Sequence, residues 1–238
     1  MRFPLIASVP LILLVSVVTY LISSHDTPSP SLAPQPRDLA DEAMQLLYAK
    51  RDEKFIVRIK TTTFSKQDLQ RILWAACRIG DLEAVHVLLK KGTPPDSDSL
   101  SASVAPSHPS IVKTLLAAGA KPAVSSGDSS STLAYAVGGG SLDIIKMLIK
   151  HGAAVDEPSV WPRRWKDERG RGHAVREIWT PLQIAAFQGD LQIVRLLISY
   201  GADPLRRSPR KQNALDLARI AKAKQVEQYL QKTMKERA

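Results

Sequence analysis

The sequence predicts an all-α solenoid of helix-turn-helix units joined by β-hairpin loops and preceded by one N-terminal transmembrane helix. Three observations carry that prediction: an uncharged apolar run at the start, a proline- and serine-rich stretch after it, and a leucine, small-residue, glycine pattern that returns along the rest of the chain. Composition agrees with it. The 238 residues are 44% hydrophobic and 24% charged, the balance of a folded protein. Only 5% are aromatic, so the core must be built from small aliphatic side chains, as in helical repeats. The single cysteine, Cys77, cannot close an intrachain disulfide, and the fold stands on packing alone in either redox compartment.

The apolar run extends from Phe3 to Ile22, twenty residues without a charge. At 1.5 Å per helical residue it covers about 30 Å, the hydrocarbon thickness of a bilayer. A cleaved signal peptide has a shorter apolar region and small residues at its cleavage site. Ile22-Ser23-Ser24 matches that poorly, so residues 1–22 read as an uncleaved anchor with a signal peptide as the alternative. Arg2 and the amino group lie on one side, and the first positive side chain beyond the run is Arg37. That asymmetry places the repeat domain outside the cytoplasm, which is the periplasm in a bacterium. Residues 23–37 follow as a linker, with Pro28, Pro30, Pro34 and Pro36 among serines.

From residue 68 onward the chain repeats itself. The clearest copy runs Thr180-Pro181-Leu182-Gln183-Ile184-Ala185-Ala186-Phe187-Gln188-Gly189-Asp190, continues through Ile193-Val194 and Leu196-Leu197, and closes on Gly201-Ala202-Asp203-Pro204. Threonine can accept a hydrogen bond from an orphan amide, and proline at the first helical position loses no needed donor. Leu182, Ala185 and Ala186 then share one face, and the alanines allow a neighbouring helix to come close. Ile193, Leu196 and Leu197 form the packing stripe of a second helix, which Gly201 ends in a left-handed conformation. Equivalent sets are Ala76, Gly80, Val85, Leu88, Leu89 and Gly92, and Ala136, Gly140, Ile144, Ile145, Leu148, Ile149 and Gly152. Leucines at 73, 100, 133, 182 and 215 mark the copies, at spacings of 27, 33, 49 and 33 residues.

This pattern resembles the ankyrin repeat, whose period is 33 residues. The repeats fall near 70–99, 100–129, 130–156, 179–211 and 212–238, with an insert at 157–178. Both irregular intervals lie between a closing glycine and the next leucine, where a solenoid tolerates changes of length. The copy at Leu100 departs most, with Ser103, Val104 and Ser107 replacing the usual Ala, Ala and Gly, and prolines at 106 and 109. The last copy, Asn213-Ala214-Leu215-Asp216-Leu217-Ala218, resembles a terminal unit, with Lys222, Lys224 and Lys232 on its outer face. Met44, Leu47, Tyr48, Phe55, Ile56 and Ile59 make a degenerate helix pair over 38–67 that covers the other end.

Chemistry is not legible. There is no phosphate-binding glycine loop, nucleophile elbow or His-Glu-x-x-His, and His25, His86, His108, His151 and His173 stand too far apart to form a metal site. No catalytic residue, metal or cofactor is expected. Gly138-Gly139-Gly140 belongs to a turn between repeat helices, Cys77 to an alanine position, and His151 to the carboxyl end of a helix.

The resemblance implies binding by loop tips and by the face of the first helices, where Arg78, Ile79, Gly138, Gly139, Phe187 and Gln188 precede the turn glycines. The insert adds Trp161, Arg163, Arg164 and Trp165, residue types common at interface hot spots. Two readings of it stand: a contact loop, or a hairpin folded back on its own repeats. The expected partner-binding residues are Arg78, Trp161, Arg163, Arg164, Trp165, Phe187 and Gln188, and the expected partner is an unidentified protein. The lipid bilayer is met through residues 3–22, and nucleic acid is not an expected partner. From Leu205 to Ala238, however, ten Lys and Arg face three acids, a net charge of +7, which supports an alternative role against anionic lipid, glycan or nucleic acid.

Overall fold

The computed structural model describes residues 36–49, 52–123, 130–166 and 172–237, with backbone alone for 36–38, 52, 163–166, 172–174 and 237. The apolar run at 3–22 and the linker as far as residue 35 lie outside the described residues. Among the described residues no helix is long and apolar enough to cross a membrane.

Among the described residues twelve helices form six consecutive pairs: α1 (Pro36–Tyr48) with α2 (Asp52–Thr61), α3 (Lys66–Ile79) with α4 (Leu82–Lys90), α5 (Ser97–Val104) with α6 (Pro109–Ala117), α7 (Thr132–Gly138) with α8 (Leu142–Lys150), α9 (Pro181–Gln188) with α10 (Leu191–Ser199), and α11 (Ala214–Ile220) with α12 (Lys224–Arg237). Each first helix packs on the first helix of the next pair, and each second helix on the next second helix. The result is an all-α solenoid with its core between two rows of helices. The boundary ahead of α1 falls at Pro36, so Pro36 and Arg37 open this helix and do not belong to the linker; proline is well tolerated in a first turn.

Helices of seven to nine residues, such as α7 and α8, are too short to be stable alone in water. Capping and stacking hold them. Asp81 accepts from the Ala84 amide at 2.9 Å, and Asp96 from Ser99 at 2.8 Å. Thr180 and Gln183 form a reciprocal capping box, as do Asn213 and Asp216. The marker leucines Leu73, Leu100, Leu133 and Leu182 are fully buried, as are Ala76, Ala136, Ala185 and Ala218 on the same faces. The second helices contribute Val85 and Leu88, Val112 and Leu115, Ile144 and Leu148, Ile193 and Leu197, and Val226 and Leu230. Burying each such side chain contributes about 1.5–3 kcal/mol. At the amino end Leu47, Phe55, Ile56 and Ile59 are buried and Met44 partly so, whereas Tyr48 is half exposed.

Connections differ from the expected row of β-hairpins. Among the described residues the only strands are β1 (Ser159–Lys166) and β2 (Gly172–Trp179), an antiparallel ribbon that occupies the insert. The six-residue segment from Lys91 to Asp96 is too short to reach, turn and return as a paired ladder.

In the five pairs from α3 onward the turn places a left-handed residue between the two helices. Gly80, Gly140 and Gly189 supply it with φ of 94°, 76° and 78°, but Ser107 and Lys222 stand at the same position with φ of 63° and 58°. A side chain there is strained by about 1 kcal/mol. Lys222→Gly and Ser107→Gly therefore raise the midpoint of chemical denaturation, each by about 1 kcal/mol of stability, while Gly189→Ala lowers it by a similar amount.

Candidate partner-binding surface

The first-helix row leaves a groove across α3, α5 and α7, with a volume of about 700 Å³. Trp74 and Arg78 of α3, Asp98 and Ser101 of α5 and Tyr135 of α7 line it, with Lys121 from the loop after α6. Trp74 follows the buried Leu73 by one residue and Tyr135 follows Leu133 by two, so the helix turns both outward; they remain 40% and 39% exposed. Arg78 lies one turn beyond Trp74, its guanidinium 5.2 Å from the ring centroid, where cation–π attraction holds it. Beneath, Thr132 ties the layers together: its hydroxyl accepts from the Ala123 amide at 2.8 Å and lies 3.1 Å from the Ser101 hydroxyl. The groove thus has a hydrogen-bonded floor and polar and aromatic walls.

The insert stands beside this row. A two-stranded ribbon is marginal by itself, and its root is held by tertiary contacts. Trp179, opposite Ser159 in the register, is fully buried and stacks on Phe187 with ring centroids 5.0 Å apart at 52°. The Ser159 hydroxyl donates to that of Ser131 at 2.9 Å, and Ser130 donates to the Val160 carbonyl. Buried Glu177 meets Arg210 at 3.2 Å. Pro162, which has no amide hydrogen to donate, sits in a ribbon where both strands are edges.

The expected contact residues are therefore spread over different surroundings. Arg78 is exposed and lines the groove. Trp161 is half-buried, its ring pressed on Gly138 so closely that a Cβ there would meet it at 2.0 Å. For this residue the folded-back reading of the hairpin describes its surroundings. Gln188 is exposed, and its amide donates to the Gly138 carbonyl at 3.0 Å, joining two neighbouring layers. Phe187 is half-buried against Trp179 and the core, which fits the reading of this position as a semi-buried filler. The side chains of Arg163, Arg164 and Trp165 lie outside the described ones.

Other singled-out groups take structural places. Cys77 is fully buried, and loss of solvation, reinforced by the Asp96 charge, pushes its thiol up to about 12. His151 Nδ1 lies 2.8 Å from the Met147 carbonyl at the end of α8. Gly138 to Gly140 close α7. Sequence reasoning passed over Trp74, Tyr135, Trp179 and Glu177. An arginine one turn after Trp74 and an apolar residue directly before the Thr180 cap were the available signals.

Comparison with known proteins agrees with this architecture. The description "Ankyrin repeats (3 copies)" matches residues 99–208, the stretch that carries α5 to α10 and the ribbon. Residues 99–208 thus carry ankyrin repeats. Ankyrin repeat and SOCS box protein 11 of Homo sapiens is 36% identical over 89 residues, 37% of this chain and 22% of that protein. Protein phosphatase 1 regulatory subunit 27 of Homo sapiens is 38% identical over 73 residues, 31% of this chain and 37% of that protein. The chain thus spans between about a fifth and two fifths of these relatives.

Two measurements test the local geometry of these repeats. Gly138→Ala displaces the Trp161 ring, so tryptophan emission shifts to the red and the ribbon becomes easier to proteolyse; Gly139→Ala, whose Cβ meets nothing closer than 3.4 Å, leaves both unchanged. Folding raises the Cys77 thiol from 9.0 to about 12, which favours the neutral form. Its contribution to stability is complete below pH 9.0 and is lost as pH rises towards 12. Accordingly, iodoacetamide labels Cys77 at mildly alkaline pH only after denaturant unfolds the chain.

Proposed function

We propose that this protein is a non-catalytic, membrane-tethered scaffold that binds a protein partner across the first-helix groove, with the repeat domain on the extracytoplasmic side. The carrying observation is the pair of exposed aromatic rings, Trp74 and Tyr135, on a groove whose floor is fixed by hydrogen bonds between layers. Exposed Trp and Tyr bury a large area at small entropic cost and dominate interface energetics. Arg78, held flat on Trp74, adds a directed cation at the same place. Gln188 extends this surface towards the later layers, while Trp161 and Phe187 support the ribbon from beneath; Arg163, Arg164 and Trp165 remain proposed contacts from their residue types alone.

The ankyrin repeats at 99–208 support the binding role, and the proteins this chain is similar to include a regulatory subunit and a SOCS box protein. The tether rests on the uncharged run at 3–22 and the orientation on Arg2 and Arg37. Function follows from the site and not from the fold, so the groove is the place to test it.

Proximity labelling of the full-length protein in its native membrane provides that test, with Trp74→Ala/Arg78→Ala and Tyr135→Ala compared to wild type. The expected outcome is one protein enriched by wild type and reduced about tenfold or more by the groove variants, the effect of losing a single hot spot. Recovery that is unchanged in both variants, or that follows only lipid and polyanions, would overturn the groove as the binding site. Fractionation adds a check on the tether: deleting residues 3–22 releases the protein from membranes, whereas continued co-sedimentation rejects the anchor.

A further inference from the structure

The loop from Ala202 to Asn213, between α10 and α11, has a backbone fixed from two sides. Buried Gln183 donates through its side-chain amide to the carbonyls of Arg206 at 2.9 Å and Gln212 at 3.1 Å. Within the loop the Ser208 amide donates to the Gln212 carbonyl and the Lys211 amide to the Ser208 carbonyl, both at 2.8 Å, and Lys211 adopts a left-handed φ of 61°. From the preceding layer Asp156 accepts from the Asp203 amide at 3.0 Å. This frame turns Leu205, Arg206, Arg207, Arg210 and Lys211 to solvent.

Four cations within six residues repel one another, and a rigid frame prevents the loop from relieving that repulsion by spreading. Among the described residues only Arg210 of these four has an acid opposite it, the buried Glu177 at 3.2 Å. Arg207 donates to the Lys211 carbonyl at 2.6 Å, and Asp203 is occupied by the Leu205 amide at 2.9 Å. Among the described residues no carboxylate faces Arg206, Arg207 or Lys211. Beside them Leu205 is 52% exposed, an apolar side chain that the fold could have buried and does not.

We propose that this loop is a second docking site, and that its ligand is an acidic segment of a protein partner carrying an apolar anchor. Carboxylates pair with Arg206, Arg207 and Lys211, and the anchor covers Leu205. The Arg210–Glu177 contact shows within the fold that this loop accepts a carboxylate in close geometry. Nucleic acid fits less well. Three uncommitted cations neutralise about three phosphates, which is weak at physiological salt, and a phosphate backbone leaves Leu205 bare. The loop also presents no aromatic ring on which a base could stack. The proposal shares with the preceding one only the class of partner; none of its residues lies on α3, α5 or α7.

The probes are a fluorescein-labelled peptide with the core Glu-Glu-Leu-Glu-Glu, its Glu-Glu-Ser-Glu-Glu counterpart, and an oligo-dT strand of equal length. Each is titrated into the full chain in detergent micelles. Wild type is expected to bind the leucine peptide in preference to the serine peptide by about fivefold or more. Arg206→Glu/Arg207→Glu/Lys211→Glu weakens that binding at least about tenfold with unchanged circular dichroism, and Leu205→Ser removes the preference between the peptides. Trp74→Ala/Tyr135→Ala leaves it unaltered, so failure of the groove and failure of the loop are told apart. The proposal is overturned by absence of saturable peptide binding, by binding insensitive to the charge reversals, or by oligo-dT binding at least as tightly with no contribution from Leu205.

Discussion

Every helix pair in this chain is too short to bury its own apolar stripe, and the structure depends on the stacking that this forces. A helix of seven residues such as α7 has lost as much conformational entropy per residue as a long one but makes few internal hydrogen bonds. Its compensation comes from neighbours: α5 before it, α9 after it, and its own partner α8 behind. Alanine at positions 76, 136, 185 and 218 is what lets the first helices approach each other, because a larger side chain there would separate the layers. The energetics are therefore close to one-dimensional, a sum over layers and the interfaces between them.

That arrangement also explains where the polar groups lie. Burying an unpaired polar atom is costly, and several of the buried pairs bridge one layer to the next: Thr132 with Ala123 and Ser101, Gln183 with Arg206 and Gln212, and Ser159 with Ser131. Gln183 has two duties, since it completes the cap of α9 through its oxygen and clamps the following loop through its nitrogen. The helices' first row is consequently rigid, and what stands out from it is presented in fixed geometry. Trp74, Arg78 and Tyr135 on the groove and the arginine loop after α10 both owe their usefulness as contact surfaces to this stiffness, since little ordering entropy remains to be lost on binding.

The ribbon shows the limit of the repeat logic. An insertion of this length at a connection costs a solenoid little, yet a bare two-stranded ribbon would not hold its shape. Trp179 beneath it, Trp161 across Gly138 and the Glu177–Arg210 pair fasten it to layers on both sides. Gly138 is accordingly a seat for an indole, a role that the turn position of the triple glycine did not disclose. Phe187 is drawn inward for the same reason, since the indole of Trp179 supplies it with an apolar neighbour.

The repeat period, the marker leucines, the paired helices, the burial of Cys77 and the place of His151 could be read from the amino-acid order alone, because each is set by contacts within about thirty residues and is written several times over. Periodicity averages out accident: one leucine means little, but leucines at 73, 100, 133, 182 and 215 with glycines in register specify a fold. Only the tertiary structure decided which exposed positions come together. Trp74 and Tyr135 are 61 residues apart in sequence and share a groove solely because α3, α5 and α7 stack. Glu177 finds Arg210 across a whole helix pair, and Trp161 finds Gly138 across a layer. Such contacts leave no periodic trace, since each occurs once and depends on the distance between layers, which is fixed by the packing of side chains and by nothing in the local sequence.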